Sequence, residues 1–222
     1  MAMADDDESP RGYASPPCFM HEVDPDYMGI DMQQEADVLR WRHNQRRQLI
    51  KARLAMPAAE RQAHSEAIMW RLDEILGDLT GKTISAYWPI RGEPDLRFWL
   101  ESVVPRGGRS ALPVVMGHGV PLIFRLWRKG EVLERGVRNI PTPTNDLVVE
   151  PDIIIAPVVG FDRQCYRLGY GGGYYDATIS AAATRPRFIG IGFAASEVAT
   201  IYPQEHDVPL DVIVTERETI WR

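Results

Sequence analysis

Cysteine is scarce in this chain, with Cys18 and Cys165 the two thiols among 222 residues. That is too few for a disulfide framework and fits a reducing compartment, so cytoplasm is the default expectation. Long apolar runs are missing too. None approaches the roughly 20 residues a membrane helix needs, and no membrane partner is expected. The acidic start lacks the basic and apolar regions of a signal peptide. Two common nucleotide loops are also missing. The last glycine of G-x-G-x-x-G would fall on Tyr174, and no Gly-Lys-Ser/Thr follows for a Walker A loop. His206 has no nucleophile elbow to pair with and Cys165 no neighbouring base, so Ser-His-Asp and Cys-His mechanisms find little support. No internal repeat is visible.

What charge there is sits unevenly. The formal net charge is −6, yet residues 1–37 hold ten carboxylates against Arg11 alone. The remainder carries 24 basic and 21 acidic residues, about +3. Such a mildly basic domain suits small anionic ligands, whereas nucleic acid asks for a denser Lys/Arg stripe and is not expected as a partner. Residues 1–33 read as an acidic, proline-containing arm and residues 34–222 as a single domain. Within the arm, Cys18, His21, Glu22 and Asp24 form a weak metal-binding pattern, because one thiol and one imidazole stand alone. The expectation is instead that its Pro-Pro-Cys-Phe-Met segment lies against the domain surface.

The chain is organised around Arg167-Leu168-Gly169-Tyr170-Gly171-Gly172-Gly173-Tyr174-Tyr175-Asp176. Four glycines in five residues cannot build a packed element, but they permit φ > 0 and let backbone amides approach a ligand. An apolar run, Asp152 to Val159, precedes the loop and reads as a buried strand, and Tyr174 to Ala183 reads as a helix. Strand, glycine loop and helix start present amides to an anion. Arg167 adds a charge for phosphate, and Asp176 a carboxylate for a divalent cation.

Before this loop, Gln34 to Leu54 is helical in pattern, with Val38, Leu39, Trp41, Leu49, Ile50 and Leu54 as apolar positions. Arg42, Arg46 and Arg53 share one of its faces, which ordinarily means a solvated surface. Pro57 opens a second helix to about Gly77, carrying Ile68, Trp70, Leu72, Ile75 and Leu76. Thr83 to Trp88 is a strand, followed by a loop into a helix through Leu96, Phe98, Trp99 and Val103. Ligands bind at loops on the carboxyl ends of such strands. Trp88 is therefore either an aromatic platform or a core residue. Glu93 is either a carboxylate that recognises a heterocycle or one that favours a helix start. Ser110 to Val115 is another strand, Val120 to Trp127 one arm of a hairpin, and Val137 to Asp146 a proline-rich connection. Arg187 to Phe193 is a strand, and Asp211 to Thr215 the final one, after a loop that carries Asp207. Strands alternating with helices imply an α/β fold with a mostly parallel sheet covered on both faces.

Cations, glycine amides and two loop carboxylates suit phosphoryl transfer, in which the protein positions groups and Mg²⁺ neutralises charge. At this point a family resemblance enters. The segment from Phe161-Asp162 through Arg167 to Asp176 resembles the signature of the 5-formyltetrahydrofolate cyclo-ligase family, also called methenyltetrahydrofolate synthetase. The likeness extends to Tyr87, Glu93-Pro94-Asp95-Leu96, Leu112-Pro113, Asp152 with Ala156-Pro157, and Glu205-His206-Asp207 with Leu210-Asp211, over about residues 38–216.

The resemblance implies a three-layer α/β/α fold and an ATP- and Mg²⁺-dependent conversion of 5-formyltetrahydrofolate to 5,10-methenyltetrahydrofolate. By position, Arg42, Arg46, Arg167, Leu168, Gly169, Gly171, Gly172, Gly173 and Tyr175 would bind ATP. Arg46, Trp88, Glu93, Tyr170, Gly171, Gly172, Gly173 and Tyr174 would meet the reduced folate. Arg167 and Tyr174 would be catalytic, and Asp176 and Asp207 would hold Mg²⁺. Three departures stand out: Arg42 where the family commonly has lysine, Thr142 where it has glutamate, and Glu197 near a usual glutamine. A second expectation is therefore a non-catalytic paralogue that binds folate or nucleotide. Nothing in the sequence speaks to oligomeric state.

Overall fold

The computed structural model describes the backbone of residues 32–222 and the side chains from residue 34 onward. Cys18, His21, Glu22 and Asp24, and with them the expected arm, lie outside the described residues. Residues 38–222 form one compact unit. The first half of the chain forms α1 (Met32–Ala55), α2 (Ala58–Leu76), β1 (Thr83–Ser85), α3 (Arg97–Val103), β2 (Arg109–Val114), β3 (Ile123–Leu126), β4 (Leu133–Arg135) and β5 (Pro141–Pro143). The second half forms β6 (Val148–Val149), β7 (Ile153–Pro157), β8 (Gly160–Phe161), β9 (Arg167–Leu168), α4 (Tyr174–Ala181), β10 (Arg187–Ile191), β11 (Val212–Val214) and β12 (Thr219–Trp221).

Eight of these strands make one sheet in the order β12-β11-β10-β7-β1-β2-β3-β6. The five from β11 to β2 are parallel; β12 pairs antiparallel at one edge, and at the other β3 pairs antiparallel with β2 and β6 antiparallel with β3. Successive side chains of a strand face opposite ways, and here both faces are apolar. Ile153, Ile155, Ile189, Ile191, Val212 and Val214 join α2 and α3 in one core cluster. Ile154, Phe188 and Ile213 join Ile179 of α4 and Phe161 of β8 in the other. That is the three-layer α/β/α arrangement, with the mostly parallel sheet buried on both sides. From β1 the chain winds outward through β2, β3 and β6, then returns to place β7 on the other side of β1 and continues to β10 and β11. The sheet therefore reverses its winding between β1 and β7, where a crevice opens at the carboxyl ends of the strands.

Several elements differ from expectation. The Val137 to Asp146 connection contains β5, paired antiparallel with β4. The approach to the glycine loop holds a small hairpin, with Gly160 opposite Leu168. The strand at Val212–Val214 is not the last, since β12 pairs against it. Leu39, Leu54, Trp70 and Phe98, assigned apolar positions by periodicity, are more than half exposed. On α1 the buried side chains are arginines, Arg42 and Arg53, so the solvated face is overturned. No helix among the described residues is long and apolar enough to cross a membrane.

The burial contrast along the sheet is directly measurable. Ile154→Ala, at a site 1% exposed, should lower unfolding free energy by about 2–5 kcal/mol through the cavity it leaves. Val148→Ala at the exposed edge should stay within about 0.5 kcal/mol of the parent. Urea denaturation of the two variants checks the difference.

Candidate functional site

Three arginines tie α1 across the loops that follow the parallel strands. Arg42 donates from Nε to Ile201 O at 3.0 Å and from Nη2 to Tyr202 O at 3.0 Å. Both ends of its fork also reach the Asp207 carboxylate. Arg46 donates from Nε to Gly169 O at 2.7 Å, and its guanidinium carbon comes to about 3.7 Å from where a Cβ of Gly171 would stand. Arg53 reaches Arg91 O, Val158 O and the Tyr170 hydroxyl. A buried guanidinium is tolerated where each donor finds an acceptor, and irregular loops supply carbonyls that no ladder uses. Burial, and next the charge of Arg42, pull Arg46 below the usual arginine range. This crowding of cations prepares the region for an anion.

The glycine loop closes the same region. Gly171 and Gly173 sit at φ +88° and +65°, conformations that L side chains rarely adopt. A Cβ on Gly172 would stand 2.5 Å from the Tyr174 ring, so that ring is folded over the loop. Gly173 begins α4 without a side-chain cap, which leaves the first-turn amides of the helix available to an anion. Arg167, buried in β9, lies 2.8 Å from Asp176 Oδ2 and over the Tyr175 ring at 5.7 Å. Burial pulls the Arg167 guanidinium down, and the Asp176 charge opposes it.

The opposite end of the site is built by the loop after β1. Trp88 is half-buried, edge-on to Trp127 with centroids 6.0 Å apart. Glu93 is buried at 5% exposure, four residues before α3 begins. It is not a helix-start carboxylate. Its Oε2 accepts from the Ile90 amide at 2.8 Å, and its Oε1 from the Tyr170 hydroxyl at 2.7 Å. Burial pushes Glu93 up from its ordinary range, opposed first by those two donors. Burial likewise pushes the hydroxyls of Tyr170 and Tyr175 up, so both remain protonated near neutral pH.

These groups surround one cavity of about 450 Å³. Of the residues singled out in the sequence, Arg42, Arg46, Trp88, Glu93, Arg167, Gly169 to Gly173, Tyr174, Tyr175, Asp176 and Asp207 line it. Leu168 does not; its side chain is buried at 1% exposure beside them. The carboxylates expected to share a cation are engaged with different arginines, Asp207 with Arg42 and Asp176 with Arg167. Among the described residues no group of three or more His, Cys, Asp or Glu is placed to hold a metal ion by itself. Sequence reasoning missed His118 and Arg138, which line the cavity from loops without any motif, and it missed Arg53. For Arg53 a signal existed, since it shares a helix face with Arg42 and Arg46.

Residues 38–216 match the model of the 5-formyltetrahydrofolate cyclo-ligase family. A 5-formyltetrahydrofolate cyclo-ligase of Mycolicibacterium smegmatis is 30% identical over 180 residues, covering 78% of this chain and 92% of the relative. The structure of Aquifex aeolicus 5,10-methenyltetrahydrofolate synthetase superposes with a TM-score of 0.71 at 26% identity, over 81% of this chain and 92% of that one. A 5,10-methenyltetrahydrofolate synthetase from Mycoplasma pneumoniae gives a TM-score of 0.64 at 25% identity, over 79% and 98%.

The Arg42–Asp207 pair is a sharp test of how α1 is held. Arg42→Met strands a buried carboxylate and two carbonyls, and should lower stability by about 3–5 kcal/mol. The same change at exposed Arg47 should be near neutral. Thermal unfolding followed by circular dichroism separates the two.

Proposed function

The chain belongs to the 5-formyltetrahydrofolate cyclo-ligase family, and from that premise we propose that it converts 5-formyltetrahydrofolate and ATP to 5,10-methenyltetrahydrofolate, ADP and phosphate. The observation that carries this is the lining of one cavity, which brings Arg46, Arg167, the glycine loop and Asp176 together with Trp88 and Glu93. In this reading the first group takes a nucleotide's phosphates at one end and the second a flat, nitrogen-rich heterocycle at the other.

A formyl amide is a poor electrophile until its oxygen becomes a leaving group. In the proposed course, the formyl oxygen attacks the γ-phosphorus of ATP and ADP departs. N10 then attacks the activated formyl carbon, and phosphate leaves with the C–O bond as N10 loses its proton. Arg46 and Arg167, with the amides of Gly171 to Gly173, hold the phosphates and take up the charge that spreads over the transferred group. Arg42 acts through Asp207, because its fork is already committed there. Tyr174, folded over Gly172, would sit beside the formyl group. Glu93 accepts from the heterocycle's amino and ring N–H groups, and Trp88 covers its face.

Mg²⁺ fits this donor set as a companion of the nucleotide. Magnesium is commonly held by one or two carboxylates together with substrate phosphates, and Asp176 and Asp207, both lining the cavity, supply that number. Bound there it would neutralise phosphate charge. Both carboxylates already accept from arginines, so the ion is expected to bind with ATP and not ahead of it.

A second reading, a folate- or nucleotide-binding paralogue without turnover, draws on the commitment of Arg42 to Asp207. One assay separates them. The protein with ATP, Mg²⁺ and 5-formyltetrahydrofolate should develop the near-ultraviolet absorbance of the methenyl product. Asp176→Ala should lower kcat by about 10²-fold or more with an unchanged circular dichroism spectrum. Tight ligand binding by a well-folded protein that forms no product would favour the paralogue. Calorimetry should further show Mg²⁺ uptake with ATP present and none with Mg²⁺ alone.

A further inference from the structure

Arg53 stands behind the cavity wall, reaching it through Tyr170, and its guanidinium is buried at 4% exposure. It donates from Nε to Arg91 O at 3.1 Å, from Nη1 to Val158 O at 3.4 Å and from Nη2 to Tyr170 Oη at 2.6 Å. A guanidinium has donors and no acceptor, so Tyr170 Oη must accept from it. The single Tyr170 proton is then left for Glu93 Oε1, 2.7 Å away. Glu93 Oε2 takes the Ile90 amide. A carboxylate offers about four acceptor sites, so each Glu93 oxygen keeps one lone pair.

We propose that Arg53 is a positioning residue for the heterocycle end of the cavity: it points the Tyr170 hydroxyl at Glu93 and leaves Glu93 two free lone pairs for adjacent N–H donors of the substrate. This rests on the proposed folate site. Without Arg53 the Tyr170 hydroxyl is free to turn towards the vacated Val158 or Arg91 carbonyls. Glu93 then loses both a donor and a nearby cation. Burial favours its neutral acid, against the Ile90 amide, the Tyr170 hydroxyl, Arg53 on α1 and Arg91 on its own loop. Tyr87 after β1 and Tyr175 on α4 also feel the Glu93 charge, and Asp95 acts on Tyr87. Both tyrosines are pushed up and stay neutral, so the charges that oppose Glu93 protonation are those of Arg53 and Arg91. Of these, Arg53 acts through a directed hydrogen-bond chain. A protonated Glu93 would present an O–H to a donor edge and repel it.

The test begins on the ligand-free protein. Carboxyl-¹³C glutamate labelling, with Glu93→Gln to assign the signal, reads Glu93 ionisation by NMR. Arg53→Met should move the Glu93 midpoint up by about one pH unit or more. Tyr170→Phe removes only the middle hydroxyl and should shift the midpoint the same way, so the question stays answerable should Arg53→Met fail to fold. Arg53→Lys, which keeps the charge, should lie closer to the parent.

In turnover, Arg53→Met should raise KM for 5-formyltetrahydrofolate about tenfold, leave KM for ATP unchanged and move the acid limb of the pH profile upward. Its loss should overlap with that of Tyr170→Phe in the double variant. An unmoved Glu93 midpoint in the folded variants, or fully additive KM effects, overturns the proposal. Should the midpoint move while the parent protein neither binds nor converts 5-formyltetrahydrofolate, the hydrogen-bond assignment holds and the functional reading is the part that fails.

Discussion

Burying a guanidinium is expensive unless every donor meets an acceptor, and that constraint organises the upper side of this molecule. The α1 helix has no continuous apolar stripe: Leu39 and Leu54 face solvent while Arg42 and Arg53 are buried. What holds it is a set of loop carbonyls at 91, 158, 169, 201 and 202, together with Asp207. Those carbonyls come from segments after β1, β7, β9 and β10, where strand pairing has ended and backbone acceptors are left over. The arginines and the switch in strand winding thus specify one place. The helix that covers the crevice also supplies its cations.

The same interactions divide the cavity into two chemical ends. Arg46 and Arg167 crowd positive charge against a loop of glycine amides, with Asp176 and Asp207 as counter-charges. An incoming polyanion would compete for those guanidinium donors and release carboxylate lone pairs, so the proposed nucleotide and metal would bind together. Elsewhere in the lining, burial and two hydrogen bonds hold Glu93 in a fixed attitude. Tyr170 links the ends physically, because its backbone belongs to the glycine loop and its hydroxyl to Glu93. A rearrangement of the loop around phosphate would therefore be felt at the heterocycle.

Family membership and cavity polarity converge from independent directions. The match over residues 38–216 rests on sequence, whereas the meeting of Arg46, Arg167 and the glycine loop with Trp88 and Glu93 around one cavity rests on geometry. Arg42 is the point at which they meet. As a departure from the family's usual lysine it raised the question of lost activity. As a side chain it is a fork spanning Asp207 and two carbonyls, a task a single ammonium performs differently.

What the sequence determined by itself was the placing of the principal elements by local pattern. The apolar runs within Asp152 to Val159 and Arg187 to Phe193 predicted strands of a mostly parallel, buried sheet, because a strand covered on both faces has no polar side to show. Pro57 and Gly77 bounded α2 through backbone preference alone, and the glycine loop announced φ > 0 and exposed amides. Only the tertiary structure decided the rest. The two- and three-residue strands β5, β8, β9 and β12 each pair with a close neighbour along the chain, but runs so short carry too little alternation to be read as strands before the fold is known. Whether a row of arginines on a helix faces water or the interior depends on acceptors more than 100 residues away, such as Val158 O, Gly169 O and Asp207. The direction of one hydroxyl proton, Tyr170 towards Glu93, depends on three side chains that meet only when the sheet has brought their loops together.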